Sequence, residues 1–520
     1  MASRANLVNL DAMIKRADFA SEETDDSSFD NVSTISLRDF TKGALIGPRL
    51  RKPDFQRETS HWNPQQVVSL LECFTSGDLI PSVILWKSSS ALFVIDGGHR
   101  LSALRAWIED DYGDGPLSQA YFGGEISEEQ KKIAQTTRKL VNSKIGSWVD
   151  IEERIESEDP SERKMMTAIA SRGLPIQWVK GDADKAENSF FKINTKGTPL
   201  DEVEELLLKC RKCAIPIAAR AIIRSGKGHK YWSAFPKECS LQIEENAKKL
   251  HIILFEPEIK RPIKTLDLPL GGSKGVRTAL QVLIEFLLIA NRDQSGIPQK
   301  IAEMHEDSTG SETVKVLDRG IRLANRITGN DGGSLGLHPA VYFYGPSGHH
   351  SSPMFMGTVK LIGKKISNND QTFFKKFTSI RPQLELILIK YKDTIASILQ
   401  KHISTKRIDV YASLLESIIN TLLNSNQVDE NFLIDASGLK GKLIIGTEKN
   451  NTLTFSENTK SEVFIHKALS SALKCPVCDG YLDAEKSVSY DHIKRVREEG
   501  KGSIDNCQLT HPFCNQSVKQ

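Results

Sequence analysis

Residues 475–520, which close the chain, hold two ligand-type pairs: Cys475 with Cys478 as CxxC, and His511 with Cys514 as HxxC. Two residues separated by two others on a tight turn can aim at one ion. Two such turns supply the four N/S ligands of a closed tetrahedral zinc site. A segment this short buries too little apolar surface to hold itself together well, so a metal staple has a structural reason to be there. Between the pairs lie Asp491-His492-Ile493 and Ile504-Asp505-Asn506, and Asn515 follows Cys514 directly. Asp491 offers a hard oxygen to a cation such as Mg²⁺, and His492 is a base that titrates near neutral pH. In extended backbone these neighbours point to opposite sides, so one can hold metal while the other faces a water. Asn515 can bring a second oxygen to the same cation.

The order DHI, SIDN, LT and CN, closing with Lys519 and set among zinc knuckles, resembles the HNH (ββα-metal) nucleases, including the HNH domain of CRISPR effector nucleases. The resemblance implies His492 as general base on a water, and Asp491 and Asn515 as ligands of one catalytic Mg²⁺ or Mn²⁺. It implies that Asn506 orients the His492 ring or braces the loop. Cys475, Cys478, His511 and Cys514 then hold a structural zinc. His511 departs from the usual cysteine at its position but remains an acceptable zinc ligand. Cys507 is left as a spare, expected to be packed. The competing reading is a purely structural zinc ribbon with Asp491-His492 an incidental surface pair.

A chain of 520 residues has room for two to four domains if each takes roughly 150 residues. With 39% hydrophobic and 26% charged residues the composition is globular. A net charge of +3 leaves any DNA-binding surface to be local. The longest apolar run, 279–290, is interrupted by Gln281 and Glu285. It is too short to cross a bilayer, so no membrane partner is expected. The cysteines fall partly into ligand pairs and no secretory leader pattern opens the sequence. A reducing cytoplasm is therefore the expected compartment.

Taken in order, residues 7–19 carry a short helical pattern, followed by the acidic run SEETDDSSFD, which reads as a solvated linker. An amphipathic helix is expected over 64–74, ended by Gly77, then strands over 83–86 and 91–95. The second strand runs into Asp96-Gly97-Gly98-His99-Arg100 and a helix beginning near Leu101. Strand, glycine turn and helix N-terminus with an arginine gather N–H groups and a cation around an anion. Alternatively, the same turn is a tight connection that needs glycine for positive φ.

The stretches PDFQR, IPS, VIDGGHRLSAL and FFKINTKGTPLDEVE together resemble the ParB/sulfiredoxin-like domain with a DGQQR motif, the N-terminal half of GmrSD-type modification-dependent restriction proteins. The resemblance implies nucleotide binding, and in some relatives hydrolysis of a nucleoside triphosphate. Carried over, the pocket residues are Gln56, Arg57, Asp96, Gly97, Gly98, His99, Arg100, Asn194 and Thr195, with Arg57 and Arg100 meeting phosphates. Gly98-His99 stand where the family commonly has two glutamines, which favours binding over hydrolysis. No P-loop motif occurs.

The middle of the chain shows helical periodicity at 206–208, 279–290, 314–327, 373–399 and 410–423, with loops at GNDGGS and GPSGHHSS. Cys210 and Cys213 read as helix packing rather than a metal pair. His338, His349 and His350 around the aromatic run 342–344 suggest either a substrate pocket or a buried aromatic patch. The basic stretch 360–407 is either a solvated face or a phosphate-contacting one. Residues 428–457 read as a β-containing connector and 462–473 as a helix.

The expected architecture is α+β and multidomain: an N-terminal helix and acidic linker over 1–34, a ParB-like α/β nucleotide-binding domain over 35–204, a largely helical middle over 205–455, and a zinc-stapled ββα-metal domain over 456–520. The expected function is DNA cleavage by the HNH domain under control of a nucleotide-binding sensor, directed against phage or modified DNA. A one-metal site cuts one strand per event, so nicking, or double cutting by a homodimer, is expected. The alternative from another class is a non-catalytic DNA-binding, partition-like nucleotide switch with a structural zinc ribbon.

Overall fold

The computed structural model describes residues 7–519 apart from 18, 20–31, 42–43, 54–55, 57–58, 60–61, 90, 123–125, 127, 197–209, 228–229, 273–275, 293–300 and 442–453. The acidic run, the helical pattern at 206–208 and most of the 428–457 connector's apolar pairs therefore lie outside the described residues. The chain divides into two compact units, one of residues 1–211 with 227–231, the other of 212–226 with 232–520. No described helix is long and apolar enough to cross a membrane.

The first unit is built on a mixed six-stranded sheet: β1 (Arg16–Ala17), β2 (Thr34–Ser36), β3 (Leu50–Pro53), β4 (Val83–Lys87), β5 (Leu92–Asp96) and β6 (Gly173–Val179), in the order β1-β3-β5-β4-β6-β2. Strands β4 and β5 alternate between two cores, as a period of two requires. Val83, Leu85, Leu92 and Val94 enter the larger core, while Trp86, Phe93 and Ile95 enter a second, smaller one with Phe19, Ala186 and Phe190. Both faces of the sheet are thus covered. Helix Pro64–Ser76 lies where the periodicity puts it, capped by Asn63 and ended by Gly77 at φ +88. The helical pattern at 7–19 is overturned: these residues form a 3₁₀ turn, Asp11–Met13, and strand β1.

The second unit is helical, with a small metal-type lobe at its end. Helices Ala214–Ile223, Lys237–Phe255, Val276–Ala290 and Ser311–Ile327 pack on one another, and Ser352–Ser367 packs on Arg407–Leu423. The apolar pattern at 373–399 resolves into two helices, Gln371–Lys390 and Lys392–Lys401, that break at Tyr391. Part of the expected β connector is helical instead, Glu430–Ala436, and helix Glu457–Ser470 leads into the lobe. The lobe contains strands β7 (Ser489–His492) and β8 (Cys507–Thr510), paired antiparallel, followed by a short π-helix, Cys514–Val518. The run 342–344 is fully buried, with the Tyr342 hydroxyl on Glu385 and the Tyr344 hydroxyl on the Pro269 carbonyl.

Candidate active site and metal centre

Cys475, Cys478, His511 and Cys514 bring their ligand atoms within 4.8 Å of one another, and all four residues are buried. A tetrahedral zinc with Zn–S bonds of about 2.3 Å has edges of about 3.7 Å. Cys478 Sγ and Cys514 Sγ stand 3.3 and 3.8 Å from His511 Nδ1. The donor set and spacing therefore fit zinc. His511 Nε2 lies 2.9 Å from the Tyr481 carbonyl oxygen. This contact fixes the tautomer: Nε2–H donates there and Nδ1 keeps its lone pair for the metal. Burial and the nearby Arg381 charge lower the imidazole's pKa, keeping it neutral as a ligand must be. Hydrogen bonds from Cys478 and Cys514 likewise hold the Cys475 thiol well below its usual range.

Between the two ligand pairs, the hairpin strands lie in fixed register. Ser489 pairs with Thr510, Asp491 with Gln508 and His492 with Cys507. The Asp491 carboxylate accepts from Gln508 Nε2 at 2.8 Å and from Lys519 Nζ at 2.6 Å. Asn515 Nδ2 donates to Ser489 Oγ at 2.8 Å and to the Tyr490 carbonyl at 3.3 Å. That leaves Oδ1 as the amide's remaining acceptor. Ser489 and Asp491 share one strand face, so Asp491, Asn515 and Lys519 are gathered on the same side of the hairpin. An acidic oxygen and an amide oxygen suit Mg²⁺, which keeps several waters and takes few protein ligands. His492 is next along the strand, half-buried, and its ring makes no hydrogen bond among the described residues.

Asn506 does not touch the His492 ring. Its amide accepts from Lys494 N at 2.6 Å and donates to the carbonyls of Lys494 and Lys501 at 3.0 and 2.8 Å. It is a clamp across the 494–501 loop. Cys507 is exposed rather than packed, because its strand position turns it outward opposite His492.

In the first unit, Gly97 has φ +93, a conformation open to glycine at little cost. Gly98 starts helix Gly98–Ile108. A side chain at Gly98 would stand 3.6 Å from Gln56 Oε1, so Gln56 closes over the turn. Arg100 Nη2 binds Asp96 Oδ2 at 2.8 Å and the Ser82 carbonyl at 3.1 Å, so much of its charge is already answered. His99 stacks on Trp62, their rings 5.4 Å apart. Asn194 and Thr195 end helix Ala183–Lys196; their side chains, and all of Arg57, lie outside the described residues. A buried hub missed in the sequence adjoins this turn. Asp11 Oδ1 receives Arg16 and Lys52 at 2.8 and 2.7 Å, and Arg16 also donates to the Gln56 carbonyl. An acid inside the apolar run LVNLDAMI was the available signal, because a carboxylate there needs partners.

The basic stretch does not form one free face. Lys360 pairs with Asp409, Lys365 with Glu416, Arg381 with Glu385, and Lys392 is buried against three backbone carbonyls.

Residues 37–211 match the family model of the GmrSD restriction endonuclease N-terminal domain, and residues 475–520 match that of the HNH endonuclease. The chain joins a GmrSD N-terminal domain to an HNH endonuclease domain. This pairing is that of GmrSD-type fusions, and it supports a nuclease in restriction or defence, with DNA as the substrate an HNH domain implies. No curated protein and no solved structure matches the chain.

Proposed function

We propose that the HNH domain hydrolyses DNA phosphodiester bonds with His492 as general base, taking a proton from the attacking water. Asp491 and Asn515 Oδ1 hold one Mg²⁺ or Mn²⁺, which when bound would supply electrostatic stabilisation to the phosphate and the departing oxygen. Asn506 sets the loop that follows the base. The observation that carries this reading is the gathering of Asp491 and Asn515 on one side of the β7–β8 hairpin, with the His492 ring next along the strand. The GmrSD domain binds a nucleotide at Gln56, Arg57, Asp96, Gly97, Gly98, His99, Arg100, Asn194 and Thr195 and controls cutting of phage or modified DNA. The clasp of Gln56 over the Gly97–Gly98 turn supports that assignment, since backbone N–H groups at a helix start suit a phosphate.

The test is nicking of supercoiled plasmid, unmodified and base-modified, with Mg²⁺ or Mn²⁺ and each nucleoside triphosphate. Wild type should nick and His492→Ala should not. Intact plasmid with wild type under every condition removes the reading. Titration of labelled nucleotides onto wild type and Arg100→Ala tests the sensor; equal affinities move the nucleotide elsewhere.

A further inference from the structure

Helix Ser311–Ile327 turns Val316, Leu317, Leu323, Ala324 and Ile327 into the helical core of the second unit. On its other side Arg319, Arg322 and Arg326 follow at a helical spacing and line a cavity of about 430 Å³. Ile289, Leu323 and Ile366 supply an apolar wall, while Asp331 and Gly333, from the loop after the helix, close another side. Among the described residues none of the three arginines has a carboxylate within ion-pair distance. The one acid in the wall, Asp331, accepts instead from Asn325 Nδ2 at 2.6 Å.

Two of the guanidinium groups are held in place by neutral partners. Arg326 donates to the Gly333 carbonyl at 2.9 Å and lies 4.6 Å over the Phe374 ring, and Arg319 reaches Asn291 Oδ1 at 3.4 Å. Each retains further N–H donors. Three unneutralised positive charges in a concave, partly apolar site focus a positive potential. Guanidinium forks match phosphate oxygens in pairs, which ammonium groups do not. The volume falls in the range of small-ligand sites, roughly 300–1,000 Å³.

We propose that this cavity binds a phosphorylated small molecule, its phosphate on Arg319, Arg322 and Arg326 and its apolar body against Ile289, Leu323 and Ile366. The site belongs to the helical region, which neither family match covers. Its occupant would also touch a segment that grips the HNH domain. Gly329 O accepts from Ser487 Oγ at 2.7 Å, Asn330 Oδ1 from Val488 N at 3.0 Å, and Ser334 O from Phe513 N at 3.0 Å. Binding at the cavity therefore bears on the entry to β7. That coupling rests on the nuclease reading; the binding itself does not.

The experiment uses the full chain with phenyl phosphate, inorganic phosphate and a single-stranded 12-mer DNA as probes, read by calorimetric titration and by hydrogen exchange. Phenyl phosphate should bind more tightly than inorganic phosphate and protect amides around 319–333. Arg322→Gln and Arg319→Gln should each weaken it at least tenfold, with unliganded melting unchanged. Absence of phenyl phosphate binding, or binding indifferent to both variants, overturns the proposal. DNA binding that both variants abolish, without phenyl phosphate binding, also overturns it and assigns the arginines to the nucleic-acid backbone. Plasmid nicking with and without phenyl phosphate reads the coupling separately.

Discussion

Glu385 Oε2 accepts the backbone N–H of Tyr481 at 2.7 Å, and the carbonyl of that same tyrosine receives the His511 imidazole at 2.9 Å. Arg381, paired with Glu385 at 2.7 Å, also reaches the Tyr481 carbonyl and donates to those of Leu335 and Gly336. A buried ion pair in the helical region thus orients the metal lobe. Glu385→Gln leaves the Arg381 charge buried without its counterion, a loss of about 3–5 kcal/mol. Thermal melting should drop accordingly, and zinc should pass faster to a chromogenic chelator. Unchanged melting together with unchanged release would refute this coupling.

His511 Nδ1 stands at ligand distance among the three cysteines, so its replacement should separate chemistry from bulk. His511→Cys should retain stoichiometric zinc, and its cobalt-substituted form should gain thiolate charge-transfer absorption. His511→Ala should purify with little metal. Full zinc occupancy in the alanine variant would exclude the imidazole as a ligand.

The proposed base and the clamp should fail differently. His492→Ala should lower nicking by about 10²–10⁴-fold with melting and zinc content intact. Asn506→Ala should loosen the 494–501 loop, seen as faster amide exchange there, with a smaller loss of rate. Equal rates for His492→Ala and wild type would show that another group takes the proton.

Lys519 places an ammonium 2.6 Å from Asp491 Oδ2, where it would compete with the proposed divalent ion for the carboxylate. Lys519→Met should therefore lower the Mg²⁺ concentration needed for half-maximal nicking. A higher requirement would mean that Lys519 aids the ion or the substrate instead.

Asp483 titrates against folding as pH rises from the acid side. It is buried, Oδ2 has no hydrogen-bond partner among the described residues, and burial raises its pKa to about 6, only partly offset by Lys486. The folded form holds this proton more tightly than the unfolded chain does. Its contribution is therefore present below about pH 4 and lost as pH rises to about 6, at most on the order of 3 kcal/mol. Asp483→Asn should abolish that decline, and the difference between the two melting-versus-pH curves measures it. Parallel curves would place the carboxyl in a solvated setting.

The zinc set was readable because its spacing is covalent: two short turns carry their geometry wherever the chain places them. The sequence left loop bracing and ring orientation both open for Asn506, and only the fold shows its amide bonded across the loop. Residues 7–19 misled because Leu7, Leu10, Met13 and Ile14 satisfy a helical period, yet Asp11 must reach Arg16, Lys52 and Thr59, and those contacts impose an irregular path. Arg381 reads in sequence as one residue of a basic stretch, solvated or phosphate-contacting, yet it is buried with Glu385. Their burial depends on Tyr481, far along the chain, which no local pattern records.

The 329–334 loop, fastened to Ser487, Val488 and Phe513, ties the C-terminal lobe to the helical part of its own unit. A swing of this lobe by itself toward a duplex would have to break those bonds first. Grafting the terminal segment alone onto another protein would therefore carry away the tool without its handle.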